Sequence, residues 1–503
     1  MLQYTLVLIS CIYAAEASSC IFREFENGTV CVCNATYCDT IPVYETPSNG
    51  SYLRYTSSGD DVRLSRTLGD FTNETTSDGA VILLQRNVTY QSIQGFGGAF
   101  TDAATINIKS LSKAAQANLL TSYFAKEGIR YNIGRVPIAG TDFSTRNYTY
   151  DDNDGDVSLE NFSLADEDFD YKIPLMLEAL EINEELRFLA SSWTAPPWMK
   201  TNADYVNGYL KEEYYQVYAD YLIKFLDAYY DQGLEMWAIT TGNEPNNGIT
   251  SNCTITSMSM TMNETATWLA SNFGPALAKS KHNKTLILSL DDQRSFLMTY
   301  LKDMFENELA KNYTDGVAIH WYDDKTTNAS VLTEFHDSYP EPFLLMDEAS
   351  VLIWAAVGEL SLGSWSTGEK YINDIFENLE NWVTGWMDWN IALNKDSEPN
   401  WTSGFRAQSP IIVNPDDDEF YKQPLFYAIA HFSRFIPRNS VRLELTQTSS
   451  SLRSLAFETP ENETVIVVYN NQTLDQRVII RDTEKGDIEV ELTGGSIHTI
   501  LYK

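Results

Sequence analysis

Between about residues 91 and 390, short apolar runs alternate with longer stretches of helical periodicity, and that repeat leaves the chain few folds to choose from. The apolar runs are Ile93 to Gly98, Ile129 to Pro137, Arg187 to Ser192, Met236 to Thr241, Leu286 to Leu290, Val317 to His320, Phe343 to Asp347 and Val383 to Asp388. Between them, the stretch from Tyr214 to Tyr230 places Tyr218, Tyr221, Leu222, Phe225 and Leu226 on one helix face. Eight such strand–helix units predict a closed (β/α)8 barrel, an α/β TIM barrel with its chemistry at the carboxyl ends of the strands.

The chain ends read differently. From Ser451 onward, short β-rich runs recur about every ten residues: Leu452 to Phe457, Thr464 to Tyr469, Arg477 to Arg481, Ile488 to Leu492 and Ile497 to Tyr502. Five strands make a thin antiparallel β-sandwich, so Val62 to Leu68 and Ala80 to Thr89 are expected to complete it. This gives a sandwich from residues 45–90 plus 440–503, and a barrel from 91–390 plus 424–439. A small disulfide-linked antiparallel sheet would take 18–44 plus 391–423.

The first 17 residues are mostly apolar, too short to span a bilayer comfortably, and close on Ala15-Glu-Ala17. They read as a secretory signal peptide, and no later run is long enough for a membrane helix. About fifteen Asn-x-Ser/Thr acceptors, among them Asn27, Asn34, Asn73, Asn147, Asn161, Asn263 and Asn462, agree with that route. So does the cluster Cys20, Cys31, Cys33 and Cys38, which reads as two disulfides, since its spacing matches no zinc knuckle. Cys33 cannot readily bridge Cys31 across one residue, so the expected pairs are Cys20 with Cys31 and Cys33 with Cys38. Cys11 leaves with the signal, and Cys253 stays unpaired. A net charge of −35 and a pI near 4.4 exclude a nucleic-acid binder, because phosphate is repelled over most of the surface. The acidity suits a lysosomal enzyme or an extracellular protein.

Two glutamates carry the chemistry. Glu244 follows Trp237-Ala-Ile-Thr-Thr-Gly-Asn243, and Glu348 follows Phe343-Leu-Leu-Met-Asp347. About 100 residues lie between them, near the roughly 90 expected of three barrel units, which fits strands four and seven. Two carboxylates delivered by two strand ends are the minimum equipment for cleaving a glycosidic bond: one protonates the departing oxygen while the other attacks the sugar carbon. The acidic stretch Asp151-Asp-Asn-Asp-Gly-Asp156 is a solvated loop and no EF-hand, because the first and last ligand positions would fall on Tyr150 and Asn161. No metal or other cofactor is expected, since none of the five His forms a ligand-spaced pair.

Many short motifs in order make the chain similar to the lysosomal glucosylceramidases, the acid β-glucosidases of glycoside hydrolase family 30. They are Cys31-Val-Cys-Asn-Ala-Thr-Tyr-Cys38, Gly95-Phe-Gly-Gly-Ala99, Arg135-Val-Pro137, Asp142-Phe-Ser144, Trp193-Thr-Ala-Pro-Pro-Trp198, Asn243-Glu-Pro245, Asp291-Asp-Gln-Arg294, His320-Trp-Tyr322, Gly385-Trp-Met-Asp-Trp-Asn-Ile-Ala-Leu393 and Phe420-Tyr-Lys-Gln-Pro424. The resemblance implies Glu244 as proton donor and Glu348 as nucleophile. It implies Asp142, Trp193, Asn243 and Trp389 around the sugar, and Arg135, His320 and Tyr322 supporting the carboxylates. His320 reads alternatively as a packed core histidine, and Trp386 as barrel packing rather than substrate contact. The family asparagine that reaches the sugar after strand eight is replaced here by Gly404.

The expected substrate is glucosylceramide in acidic membranes, with a saposin-like activator and anionic lipid as partners. Its rivals are another glucoside, such as a sterol glucoside or β-glycan, and a catalytically silent glycan-binding or trafficking protein.

Overall fold

The computed structural model describes residues 19–503 except 48–49, 74–77, 251–252, 355–357 and 403. The apolar leader lies outside the described residues. Eight parallel strands close into a barrel: β1 (Gly95–Ala99), β2 (Ile133–Ile138), β3 (Arg187–Ser192), β4 (Met236–Thr240), β5 (Leu286–Gln293), β6 (Gly316–His320), β7 (Phe343–Glu348) and β8 (Val383–Asn390). All eight apolar runs of the sequence become these strands. Inside, Ile133, Leu189, Ala238, Leu288, Ala318, Leu345 and Met387 fill the barrel as one packed cluster. Closure is tight where β8, β1 and β2 meet. A Cβ on Gly97 would sit 1.7 Å from the Ile133 carbonyl oxygen, and one on Gly385 2.1 Å from that of Gly95, so only glycine fits either position.

The helical stretch read from Tyr214 is Tyr215–Asp231, and it buries Tyr218, Tyr221, Leu222, Phe225 and Leu226 against the barrel. The chain ends form a nine-stranded sheet. It contains every sandwich strand expected and two more, Ser51–Ser58 and Val441–Gln447. One pairing is parallel rather than antiparallel, Val478–Asp482 against Ala80–Leu84. Its central strands Thr464–Asn470 and Ser496–Tyr502 are buried on both faces: in the first, Ile466 and Val468 point into the sandwich core, while Val465, Val467 and Tyr469 pack with the barrel core. This two-sided burial fixes the sheet against the barrel and erases the polar half of the usual alternation.

A third, five-stranded sheet joins Phe22–Phe25 and Gly28–Asn34 to Glu419–Lys422, Ile411–Asn414 and Leu393–Asn394. Disulfides link Cys20 to Cys31 and Cys33 to Cys38, and Cys253 is free. Among the described residues no helix is long and apolar enough to cross a membrane.

Candidate active site

At the carboxyl end of the barrel a cavity of about 1030 Å³ is lined by Asp142, Trp193, Asn243, Glu244, Tyr322, Glu348 and Trp389. Glu348 ends β7. Glu244 lies four residues beyond β4, in a left-handed conformation at φ +42°. The backbone is pinned there from both sides, the Asn243 N–H donating to Ser192 O and the Glu244 N–H to Asp291 O, each at 2.8 Å. A strained backbone turn in a residue over-determined by its neighbours re-aims the side chain toward β7. Glu244 and Glu348 are 9% and 5% exposed. One carboxylate oxygen of each and one His320 nitrogen lie within 4.8 Å of one another.

Beneath the pair lies Arg135 of β2, fully buried. Its Nη1 donates to Glu348 Oε2. Its Nη2 donates to Asn243 Oδ1 and Asp291 Oδ1, both at 2.8 Å, and its Nε faces Asp347 Oδ2 at 3.1 Å. The guanidinium also lies 4.9 Å from the Trp193 ring centroid and 5.4 Å from that of Trp389. Those two rings stack on each other at 5.1 Å. Burial alone would discharge this arginine, but Asp291, Asp347 and Glu348 outweigh it and hold the guanidinium charged.

His320 ends β6 and bridges two carboxylates, with Nδ1 2.9 Å from Glu244 Oε1 and Nε2 2.9 Å from Asp291 Oδ1. Burial pushes its pKa down, yet the Glu348 charge and the bonds to Asp291 and Glu244 hold it well above the usual histidine value. Both ring nitrogens thus face carboxylate oxygens, an arrangement that favours the doubly protonated imidazolium. Tyr322 OH donates to Glu348 Oε1 at 2.8 Å, while Gln293 Nε2 donates to Glu244 Oε1 at 2.8 Å and Asn247 Nδ2 to Glu244 Oε2.

The carboxylates divide by environment. Burial favours protonated Asp291, but Arg135, His320 and Ser191 drive it far below the normal range, so it is a fixed anion. Burial and the Glu348 charge push Asp142 well up, and burial with the Asp291 charge does the same to Asp347. Burial lifts Glu348 too, against the pull of His320 and Arg135. Asp292 is pushed up to about 7 by burial and the neighbouring Glu244.

The nine site residues named from the sequence therefore gather in one place. Trp386 is buried away from the cavity, its Nε1 donating to Asp374 Oδ2 at 2.7 Å. Gly404 stands beside Phe405, a cavity residue; a Cβ there would meet only Thr402 O at 3.9 Å. Sequence reasoning missed Asp291, Gln293, Asn247 and Asp347. The motif Asp291-Asp-Gln-Arg294 and the acid before Glu348 were the available signals.

Residues 93–436 match the glycosyl hydrolase family 30 TIM-barrel domain, and residues 439–500 the glycosyl hydrolase family 30 beta sandwich domain. The chain is 40% identical over 501 residues to lysosomal acid glucosylceramidase of Mus musculus, covering 98% of this chain and 97% of that one. It is 38% identical to putative glucosylceramidase 4 of Caenorhabditis elegans, covering 97% and 96%. Among solved structures, SrfJ from Salmonella typhimurium superposes with a TM-score of 0.83 at 26% identity, covering 90% of this chain and 99% of that one. An endo-β1,6-glucanase gives 0.81 at 27% identity, covering 90% and 100%. With family matches spanning both barrel and sandwich, and relatives similar along nearly its whole length, the chain belongs to glycosyl hydrolase family 30.

Proposed function

We propose that the protein is a retaining β-glucosidase that hydrolyses glucosylceramide to glucose and ceramide, with Glu348 as nucleophile and Glu244 as proton donor. The observation that carries this reading is the approach of the two carboxylates, oxygen to oxygen within 4.8 Å. Retaining enzymes hold their carboxyl groups about 5–5.5 Å apart, whereas inverting ones need about 6.5–9.5 Å to admit a water. Similarity along nearly the whole chain to proteins named as glucosylceramidases supports the substrate. The cavity mouth carries Leu352 and Trp354, 43% and 71% exposed, which suits a lipid aglycone drawn from a membrane, with anionic lipid and a saposin-like activator as partners. A lysosomal or secreted location, reached through the secretory pathway, fits the disulfides and the exposed acceptors Asn27, Asn161 and Asn462.

In the first step ionised Glu348, aligned by Arg135 and Tyr322, bonds to the anomeric carbon. The bond to the ceramide oxygen breaks, and that oxygen takes the Glu244 proton. In the second step the Glu244 carboxylate takes a proton from water, whose oxygen bonds to the anomeric carbon and expels the Glu348 carboxylate. Because Asn243 Oδ1 is occupied by Arg135, its amide N–H₂ is left for the sugar 2-hydroxyl, a contact that strengthens as oxocarbenium character develops. Trp193 and Trp389 offer apolar ring faces to the sugar, and Asp142 a protonated carboxyl.

The test is a pair of substitutions on an activated aryl β-glucoside. Glu348→Gln should lose turnover beyond rescue. Glu244→Gln should still glycosylate Glu348, and added azide should restore turnover as the β-glucosyl azide. Equal, unrescuable loss in both variants would overturn the roles.

A further inference from the structure

The acid given to the sugar, Asp142, sits on the loop that follows β2, and the residues on either side of it are held by hydrogen bonds. The Thr141 N–H donates to Ser144 Oγ at 3.0 Å and the Phe143 N–H to Thr141 Oγ1 at 2.9 Å. The Phe143 carbonyl accepts from the Ala103 N–H at 2.9 Å. Ser144 Oγ in turn donates to Asp102 Oδ2 at 2.6 Å, and Tyr148 OH donates to the same oxygen at 2.9 Å. Asp102 is itself fixed: its Oδ1 lies 3.3 Å from Lys172 Nζ, which pairs with Asp168 Oδ1 at 2.8 Å, and all three residues are buried. These contacts tie one side of the loop to the helix Asp102–Lys109. The fourth backbone group of the two neighbours is the Thr141 carbonyl, directly before Asp142. Its partner comes from another part of the barrel, Trp401 Nε1, which donates to it at 2.7 Å.

Trp401 belongs to the segment that leaves β8, the same one that carries Gly404. Asn400 shapes its backbone, with Oδ1 accepting from the Thr402 N–H at 2.9 Å and from Thr402 Oγ1 at 2.6 Å. The segment is seated on the helix that also holds the Asp142 loop. Asn107 Nδ2 donates to Glu398 O at 2.7 Å, and the helix cap Thr101 donates through Oγ1 to Asn390 Oδ1 at 2.6 Å. One helix therefore carries both loops, and the indole N–H of Trp401 joins them directly. The Phe143 ring adds to the junction, meeting Trp389 edge-on at 6.3 Å and Phe405 at 6.0 Å. Thr141 is buried, so its carbonyl, once deprived of the indole, is left unsatisfied unless the backbone shifts. That shift falls on the next residue, Asp142.

We propose that Trp401 is a positioning residue for sugar recognition: its indole N–H pins the Thr141 carbonyl and thereby sets where Asp142 presents its carboxyl to the sugar. The inference rests on the role given to Asp142 above and adds a second loop to it. Binding groups have to be held within about 0.5 Å of the productive geometry, so a backbone shift of that size at Thr141 is enough to weaken the sugar contact. Because the contact is made in the bound substrate as well as in the transition state, its loss raises KM more than it lowers kcat.

Two substitutions separate the donor from the ring. Trp401→Phe keeps an aromatic ring and removes the N–H, whereas Trp401→His keeps a ring N–H of similar reach and removes the second ring. The readouts are the inhibition constant of a glucose-shaped iminosugar and the kcat and KM of an aryl β-glucoside. Trp401→Phe should weaken the inhibitor by roughly three- to tenfold and raise KM alike, with kcat within about twofold of wild type, while Trp401→His should stay near wild type. A role in packing alone gives the reverse order of the two variants, and that order would overturn the proposal. A double-mutant cycle identifies the route. Asp142→Ala should weaken the inhibitor at least as much as Trp401→Phe does, and adding Trp401→Phe to it should weaken binding no further. Effects that multiply would mean that Trp401 does not act through Asp142, and would overturn the proposal as well. Failure of the underlying reading looks different: wild type itself would then bind no iminosugar, which refutes the sugar site and the inference with it.

Discussion

At the scale of single residues the site is organised by one cation. Arg135 touches Asn243, Asp291, Asp347 and Glu348 and lies under both cavity tryptophans, so it sets nucleophile, amide and sugar platform together. A lysine has one donor group with no planar fork and could not reach all four. Arg135, His320 and Tyr322 were legible as supports because their motifs resemble a family pattern. Asp291 and Asp347 were not, since an aspartate after an apolar run also describes an ordinary turn residue. Gly404 marks a departure from that pattern. Its Cβ direction is open, so Gly404→Asn should fit and regain one hydrogen bond to the sugar. A neutral hydrogen bond contributes about 0.5–1.5 kcal/mol. The inhibition constant of a glucose-shaped iminosugar should therefore fall by roughly two- to tenfold, with kcat little changed. An unchanged or weaker constant would remove position 404 from the sugar site.

At the scale of elements, period and length made all eight barrel strands legible, because a parallel strand buried on both faces is a continuous apolar run. The sandwich was harder. Val441–Gln447 alternates apolar and polar residues, a plain signal that the strand-rich run after Ser451 overshadowed. Ser51–Ser58 is Ser- and Tyr-rich, and its burial comes from the distant strand Ser496–Tyr502, a pairing no local pattern announces. The position of Glu244 was legible but its route was not. The strand ends at Thr240, and a left-handed turn four residues later delivers the carboxylate, a conformation set by neighbouring strands rather than by the glutamate itself.

At the scale of the whole molecule the buried ionisable groups set a direction for pH dependence. Asp102, Asp142, Asp324 and Asp388 all have folded pKa values raised chiefly by burial. Each keeps its proton when the unfolded chain has released it, so the stability it contributes is full below about pH 4 and is lost as pH rises, by up to about 1.4 kcal/mol per pH unit. His431 and His498 oppose this, because burial lowers both and folding then disfavours their protonation below about pH 6.5. Asp291, held low, enters only in stronger acid than any of these. The raised carboxyls, Glu348, Asp292 and Asp374 among them, and the raised His320 outnumber the lowered imidazoles His336, His431 and His498, which leaves a net gain on acidification. The thermal unfolding midpoint should be higher near pH 5 than near pH 7.5 by calorimetry, and a lower one would contradict the assigned protonation states. The same buried groups frame the chemistry. Glu348 is raised, so the acid limb of the rate profile should lie above the ordinary glutamate value, with the pair titrating as a unit. The central claim is double displacement at two closely held carboxylates. Proton NMR of the glucose first released, recorded before mutarotation, tests it most directly: β-glucose is the outcome expected, and α-glucose would contradict both the nucleophile and the mechanism.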